Sequence, residues 1–255
     1  ISIGGRYESL EHKGISHFLE HLAFKGTKKY SCSKIKESIE GVGGSLNGFT
    51  SEEATCYQVK LPAAHLDLAL DILSDMVINP LLPPSEIERE RTVILEEIKM
   101  YKDLPQNYVY DLLDELLWPR QPLGMQVIGS ADSVSHIKSQ DLLSYKKRTY
   151  TPLNIVVAAA GNLEHEGFSK KIEKCFLRIK DKNVNRFEQA QEEDTKPKLN
   201  LFPKDTEQTH LTLGFHSFKR GHPLKHALNI LHIIMGANMS SRLFNEVREK
   251  RGLAY

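Results

Sequence analysis

The sequence has few cysteines, no long apolar run and almost no net charge. Its three cysteines, Cys32, Cys56 and Cys175, are widely spaced among 255 residues, so they are too few for a disulfide scaffold and favour a reducing compartment. No apolar stretch approaches the ~18–20 residues of a membrane-spanning helix, and no signal-peptide pattern opens the chain. Because 34 Lys and Arg face 33 Asp and Glu, the net charge of +1 argues against a nucleic-acid partner.

What is present is an ordinary globular composition, with 40% hydrophobic and 26% charged residues. Such a chain can bury a sizeable core. The pattern of apolar residues predicts an α+β fold, in which an antiparallel β-sheet is flanked by helices. We predict strands at 1–7 and 154–161, and a pair of strands within 45–61. We predict helices at 14–24, 33–41, 66–77, 85–102, 107–118, 139–149 and 166–176.

One segment has the composition of an interdomain linker. Residues 181–198 are polar, rich in Glu, Asp, Lys and Asn, and show no periodicity. We therefore predict a first domain at 1–180 and the start of a second, homologous domain at 199–255. The length allows this division, since domains of roughly 100–200 residues are typical.

The second domain repeats the beginning of the first in a weak but ordered way. Residues 210–215 are similar to the strand predicted at 1–7, and an apolar helix at 226–235 ends at Gly236, as the first helix ends near Gly26. We interpret this as an internal duplication whose second copy is truncated. The chain also opens with Ile1 rather than Met, so we expect it to be a piece of a longer protein.

The motif most typical of a chemical function is His-Phe-Leu-Glu-His at 17–21. On a helix, His17 and His21 lie about 40° apart on one face, so both imidazoles can bind one ion. Glu20 lies within about 60° of His17, close enough to contact a water at that ion. A bland alternative is a helix that carries two histidines without a metal.

A catalytic zinc needs a third protein ligand, which must come from another part of the chain. The helix predicted at 85–102 carries Glu90, Glu96 and Glu97, of which Glu90 and Glu97 lie two turns apart on one face. Each of these carboxylates, taken alone, is better explained as a solvated charge on the helix surface than as a ligand. From spacing alone the choice among them stays open.

The surroundings of the motif resemble a family of zinc peptidases with the inverted HxxEH motif. This family contains pitrilysin, insulysin and the mitochondrial processing peptidase, and the chain is most similar to the processing peptidase β subunit and its bacterial homologues. The resemblance runs through Gly14–Thr27, Gly43–Thr50, Val93–Ile98 and Ser241–Tyr255. It therefore covers nearly the whole chain.

The resemblance implies a zinc-dependent metalloendopeptidase with one Zn²⁺ in its catalytic domain. His17, His21 and Glu97 would be the zinc ligands, Glu97 being preferred to Glu96 because of its distance in sequence from the second histidine. Glu20 would be the general base for a zinc-activated water that attacks the peptide bond. Glu90 matches a glutamate that supports the site by hydrogen bonding.

The resemblance also implies how substrate is held. Asn47 matches an edge strand to which a peptide or presequence adds in extended form, although Asn47-Gly48 alone would favour a tight turn. Arg248 and Tyr255 match residues that the second domain sends to the active site, where they bind the substrate carbonyl. Arg248 also fits an ordinary solvated charged helix. A dimer, or pairing with a second homologous half, is implied as well.

Two alternatives to an active enzyme remain at this point. One is a non-catalytic structural or partner subunit of the same family, and the other is an inactive zinc-binding fragment.

The second copy lacks the metal set, because aligning Gly26 with Gly236 places Ala227, Ile230 and Leu231 where the first copy has its two histidines and glutamate. The family implies the bacterial cytoplasm or the mitochondrial matrix, and the substrate itself is not specified.

Overall fold

The computed structural model describes residues 1–177, 186–192 and 196–254. The chain divides into two units, Ile1–Leu213 and Gly214–Tyr255. Of the linker predicted at 181–198, residues 186–192 and 196–198 are described, and they belong to the first unit. The other linker residues lie outside the described residues. The domain boundaries given above stay a prediction.

The first unit is built from helices around one antiparallel hairpin, which confirms the predicted α+β class. Strands β1 (Ser45–Thr50) and β2 (Thr55–Lys60) pair in a register that sets Asn47 opposite Gln58. Its helices are α1 (Ile15–Ala23), α2 (Cys32–Glu40), α3 (Leu66–Ile78), α4 (Pro84–Asp103), α5 (Pro105–Leu117), α6 (Ala131–His136), α7 (Ser139–Thr149) and α8 (His165–Phe176).

The second unit contains helix α9 (Lys225–His232), followed by π-helical turns at Ile233–Ala237 and Phe244–Glu249. The predicted helices of both units therefore lie within a few residues of observed ones, which is the usual uncertainty at helix ends. Within the described part of the chain, none of the helices has the length and apolar character needed to cross a lipid bilayer.

The strands predicted at 1–7 and 154–161 were wrong, and residues 210–215, which are similar to the first of them in sequence, do not form a strand either. Ile1 exchanges backbone hydrogen bonds with Thr55, but Gly5–Tyr7 turns into a 3₁₀ helix. Residues 155–160 have no strand partner among the described residues, and Val156 is exposed. An apolar run forms a strand only if another strand lies beside it. The local sequence does not show whether such a neighbour is present.

Helix α1 lies at the centre of the first unit and packs against α4 and β1. Phe18 and Leu22 fill the core on its inner face, together with Ile94 and Ile98 of α4. Burying each of these side chains contributes roughly 1.5–3 kcal/mol. A second cluster, formed by Ala23, Ile35, Ile39, Ile72 and Met76, holds the end of α1 against α2 and α3. The helix that carries the HxxEH residues is thus fixed from two sides.

Candidate metal centre

Two imidazoles and one carboxylate converge between α1 and α4. The rings of His17 and His21 lie with their centroids 4.5 Å apart, one helical turn from each other. Glu97 of α4 faces both, with its Oε2 atom 3.9 Å from Nε2 of His17 and 3.6 Å from Nε2 of His21. One possible ligand atom from each of the three residues lies within 4.8 Å of the other two.

These three residues fit a zinc ion. Bonds of about 2.0–2.1 Å in a tetrahedral site place ligand atoms roughly 3.3 Å apart, so small side-chain rotations suffice to close the observed separations. Oε2 of Glu97 is also buried and has no hydrogen-bond partner among the described residues. A buried carboxylate oxygen without a donor is costly unless a cation occupies the space beside it.

The protonation state of His17 favours metal binding, and that of Glu97 would respond to a bound cation. Burial, with a smaller contribution from the neighbouring His21, lowers the pKa of His17 to about 3, so its ring is neutral and keeps a lone pair for a metal. Burial raises the pKa of Glu97, while His21 opposes that rise. A cation placed here would favour the ionised carboxylate.

The other two candidate glutamates of α4, Glu90 and Glu96, behave differently from Glu97. Glu96 points to solvent, where its carboxylate pairs with Lys99 at 2.7 Å. Glu90 is almost fully buried, and its Oε2 atom lies 3.1 Å from Nδ1 of His21. Its other oxygen lies 2.6 Å from Nζ of Lys25. Glu90 therefore contacts Nδ1 of His21, while Nε2 of the same ring faces Glu97.

Glu20 lies beside the donor set on the β1 side of α1. The hydroxyl of Thr50 donates a hydrogen bond to its Oε2 atom at 2.9 Å. Burial raises the pKa of Glu20, and the Thr50 hydrogen bond opposes that shift. A Cβ atom added at Gly48 would lie 2.9 Å from Oε1 of Glu20 and 3.0 Å from the ring of Phe24, so β1 passes the carboxylate in close contact.

Asn47 lies in strand β1 and is exposed, which excludes the tight turn that Asn47-Gly48 alone would favour. Its side-chain oxygen accepts a hydrogen bond from the amide of Gly48 at 2.9 Å. The edge of β1 that faces away from β2 is unpaired among the residues that the structure describes. Such an edge offers main-chain donors and acceptors to another strand.

The sequence analysis expects two residues of the second domain, Arg248 and Tyr255, to take part in this site. Arg248 belongs to the second unit, where its guanidinium lies 4.8 Å from the ring centroid of Phe244 and 4.0 Å from Glu249. Tyr255 lies outside the described residues. Their approach to the site stays a prediction.

An acidic cavity adjoins the metal centre and was missed by the sequence analysis. It has a volume of about 200 Å³ and is lined by both His17 and Glu97. Asp111 and Asp114 of α5 form part of its wall, with Glu52. Burial, with the nearby Asp114, raises the pKa of Asp111 to about 6. The sequence does contain a signal for this cavity, because Asp111 and Asp114 lie at i and i+3 on α5, the helix that follows α4. Such a pair, however, looks like part of an ordinary solvent-exposed helix face.

Comparison with known proteins identifies the family to which this chain belongs. Residues 1–131 match the family model described as insulinase (peptidase family M16), and residues 136–255 match the model described as the peptidase M16 inactive domain. The chain therefore belongs to the M16 peptidase family.

Particular relatives are named as zinc proteases. An uncharacterized zinc protease of Bacillus subtilis, YmxG, is 40% identical over all of this chain and 62% of its own length. One from Mycobacterium tuberculosis is 41% identical over all of this chain and 59% of its own length. The chain thus spans about three fifths of the length of these curated relatives.

Solved structures show the same fold. A protease from Helicobacter pylori superposes with a TM-score of 0.84 at 24% identity, over 98% of this chain and 62% of that one. Pitrilysin superposes with a TM-score of 0.64 at 24% identity, over 72% of this chain and 20% of that one.

Proposed function

We propose that this chain carries the catalytic centre of a zinc-dependent metalloendopeptidase that cleaves peptides bound in extended form. The observation that supports this most directly is the convergence of His17, His21 and Glu97 beside Glu20. Two neutral imidazoles with one carboxylate are a common donor set of catalytic zinc sites. The family names of the relatives agree with this chemistry.

The three donors would hold one Zn²⁺. When bound, zinc supplies Lewis-acid chemistry, which polarises a carbonyl and makes water a stronger acid. Nδ1 of His21 would donate to Glu90, so that Nε2 keeps its lone pair for the metal. Glu97 would ligate through Oε2, the oxygen that lacks a hydrogen-bond donor.

Glu20 would move the protons of the reaction. Its carboxylate would take a proton from the attacking water and pass it to the leaving amine. Thr50 donates a hydrogen bond to Oε2 of this carboxylate, so Oε1 would be the oxygen that accepts and releases the proton. A base held in one orientation needs little rearrangement before the proton moves.

The substrate would add as a strand to the free edge of β1, where Asn47 lies. Neighbouring strands are about 4.8 Å apart, and β1 itself touches Glu20, so a peptide there would run close to the base. The acidic cavity with Asp111 and Asp114 would favour a cationic side chain near the cleaved bond. Arg248 and Tyr255 would complete the site by binding the substrate carbonyl.

The decisive experiment replaces Glu20 by Gln, which removes the base but keeps the shape of the side chain. We expect the variant to hold zinc as the wild type does and to lose cleavage of a quenched peptide by roughly 10²–10⁴-fold. Wild-type turnover in this variant would overturn the assignment. The matched control is Glu96→Gln, which changes a solvent-facing glutamate of α4 and leaves cleavage unchanged.

The non-catalytic alternatives give different results in the same assay. A zinc-binding but inactive chain would hold one zinc and cleave nothing. A purely structural subunit would bind no zinc, and a His17→Ala variant would then have the same metal content as the wild type. Zinc analysis together with the peptide assay therefore separates the three possibilities.

A further inference from the structure

Lys25 lies just beyond the C-terminal end of the helix that carries both histidines. Helix α1 ends at Ala23, and the amide of Lys25 still donates to the carbonyl of Leu22 at 3.0 Å. The next residue, Gly26, has a φ of 128°, a conformation that glycine adopts readily and that turns the chain away. The turn at Gly26 thus leaves the side chain of Lys25 beside α4.

From this place Lys25 contacts the buried Glu90. Its Nζ atom lies 2.6 Å from Oε1 of Glu90, while Oε2 lies 3.1 Å from Nδ1 of His21. The side chain of Glu90 is 3% exposed, so water has little access to replace either contact. A carboxylate held at both oxygens cannot rotate freely, and the oxygen that faces His21 is fixed by the contact on the other side.

The direction of the His21 ring makes this contact relevant to a metal. A neutral imidazole carries its proton on one nitrogen and its lone pair on the other, and the hydrogen bond to one nitrogen decides which. A carboxylate at Nδ1 keeps the proton there and leaves the lone pair on Nε2. In this chain Nε2 is the nitrogen that faces Glu97.

We propose that Lys25 is a positioning residue of the metal centre and acts through Glu90. By holding one oxygen of Glu90, it aims the other at Nδ1 of His21 and so keeps His21 in the tautomer that can ligate zinc through Nε2. Lys25 is not proposed as a metal ligand; its role is to hold Glu90. The inference rests on the proposed function only for the identity of the ion, because the tautomer of His21 is a property of the metal-free protein.

A merely structural role of Lys25 makes a different prediction. In that case Lys25 would only neutralise a buried carboxylate, and its loss would lower the stability of the fold without changing the state of His21. The two roles therefore need measurements other than stability or activity. The ¹⁵N chemical shifts of the His21 ring report its tautomer, and competition with a chelator reports zinc affinity.

The experiment uses the full chain with Lys25→Met, which keeps the length of the side chain and removes its charge. At a pH where histidine is neutral, we expect wild-type His21 to carry its proton on Nδ1 and the variant to show a mixture of tautomers. Zinc affinity should fall about 10–100-fold, as it does when an outer partner of a histidine ligand is lost. Lys25→Arg, which can still reach Glu90, should restore most of it.

Two further variants test whether Lys25 acts through Glu90. In a Glu90→Gln background, Lys25→Met should cause no additional loss of zinc affinity, because the carboxylate through which Lys25 acts is already gone. Lys29→Met removes a lysine of the same loop as Lys25, which pairs with Asp71 of α3; it should leave the tautomer and the zinc affinity unchanged. If Lys25→Met unfolds the chain, Lys25→Gln takes its place in the series.

The inference is overturned if Lys25→Met leaves the tautomer and the zinc affinity at wild-type values, or if its effect persists fully in the Glu90→Gln background. Failure of the proposed function is distinguishable from this. A wild-type chain that binds no zinc would defeat the metallopeptidase proposal, whereas the ring shifts of metal-free His21 would still decide the role of Lys25.

Discussion

The hydroxyl of Thr50 donates a hydrogen bond of 2.9 Å to Oε2 of Glu20. This contact joins the last residue of β1 to the middle of α1, 30 positions away in sequence. It connects the strand to which the substrate is proposed to add with the proposed general base. A peptide added to β1 would therefore be positioned relative to Glu20 by the same strand that holds the carboxylate.

Replacing Thr50 by Val removes the hydroxyl at nearly constant volume. Burial already raises the pKa of Glu20, and the lost hydrogen bond had opposed that rise, so the pKa should move further upward. Glu20 must be ionised to take a proton, so the acid limb of the pH–rate profile should shift to higher pH. We expect kcat to fall about tenfold while zinc content stays constant, and Thr50→Ser to restore both kcat and the profile.

Gly48 makes a second test of the same contact. In Gly48→Ala, the new Cβ would lie 2.9 Å from Oε1 of Glu20 and 3.0 Å from Phe24, which forces the carboxylate or the strand to move. We expect cleavage to drop at least tenfold, because a base displaced by a fraction of an ångström loses its alignment. Zinc affinity should change little. Gly221→Ala is the control, since a Cβ there meets open space; equal loss in both variants would contradict the explanation.

The helical part of this site was predictable because it depends on local spacing. His17, Glu20 and His21 belong to one helix, and 3.6 residues per turn places them on neighbouring positions of one face whatever the rest of the chain does. The position of Glu97 needed the family resemblance, since spacing alone did not separate it from Glu90 and Glu96. The structure distinguishes the three by what each carboxylate contacts.

The contacts around the site could not be predicted from the sequence. Thr50 reaches Glu20, and Lys25 reaches Glu90, only because β1 and α4 both pack against α1. Tertiary packing of this kind is not encoded in the period of one segment. The strand predicted at 154–161 was wrong for the same reason, because its apolar residues have no neighbouring strand in the described structure.

The acidic cavity predicts a pH-dependent preference for cationic side chains. Asp111 has its pKa raised to about 6, chiefly by burial and then by Asp114. Above that pH its carboxylate is charged and attracts a Lys or Arg side chain; below it the group becomes neutral and the attraction weakens. For peptides with a cationic residue near the cleaved bond, KM should therefore rise as the pH falls through about 6.

The measurement compares matched peptides that carry Lys or norleucine at one position. In Asp111→Asn, the advantage of the Lys peptide should shrink about tenfold and lose its dependence on pH in this range. Asp67→Asn, on the exposed surface of α3, serves as the control. An unchanged preference in the Asp111 variant would show that the cavity does not receive the side chain.

The stability of the site depends on a buried pair at the start of α1. Glu8 accepts hydrogen bonds from the amides of Gly14 and Ser16 at 2.9 and 2.8 Å, and so caps the helix that carries both histidines. Lys13 lies 3.7 Å from the same carboxylate and donates to the carbonyl of Gly5 at 2.6 Å. Both side chains are almost fully buried, so neither charge can turn to solvent if its partner is lost.

Replacing Glu8 by Met should therefore lower the free energy of unfolding by about 3–5 kcal/mol, because it leaves the buried Lys13 ammonium without its counter-charge and the amides of Gly14 and Ser16 without this acceptor. The double variant Glu8→Met, Lys13→Met should be less destabilised than the sum of the single variants, since no unpaired charge remains. Urea unfolding of the wild type, both single variants and the double variant measures this coupling. If the losses simply add, then Glu8 stabilises the chain by capping α1 alone, and Lys13 contributes nothing through it.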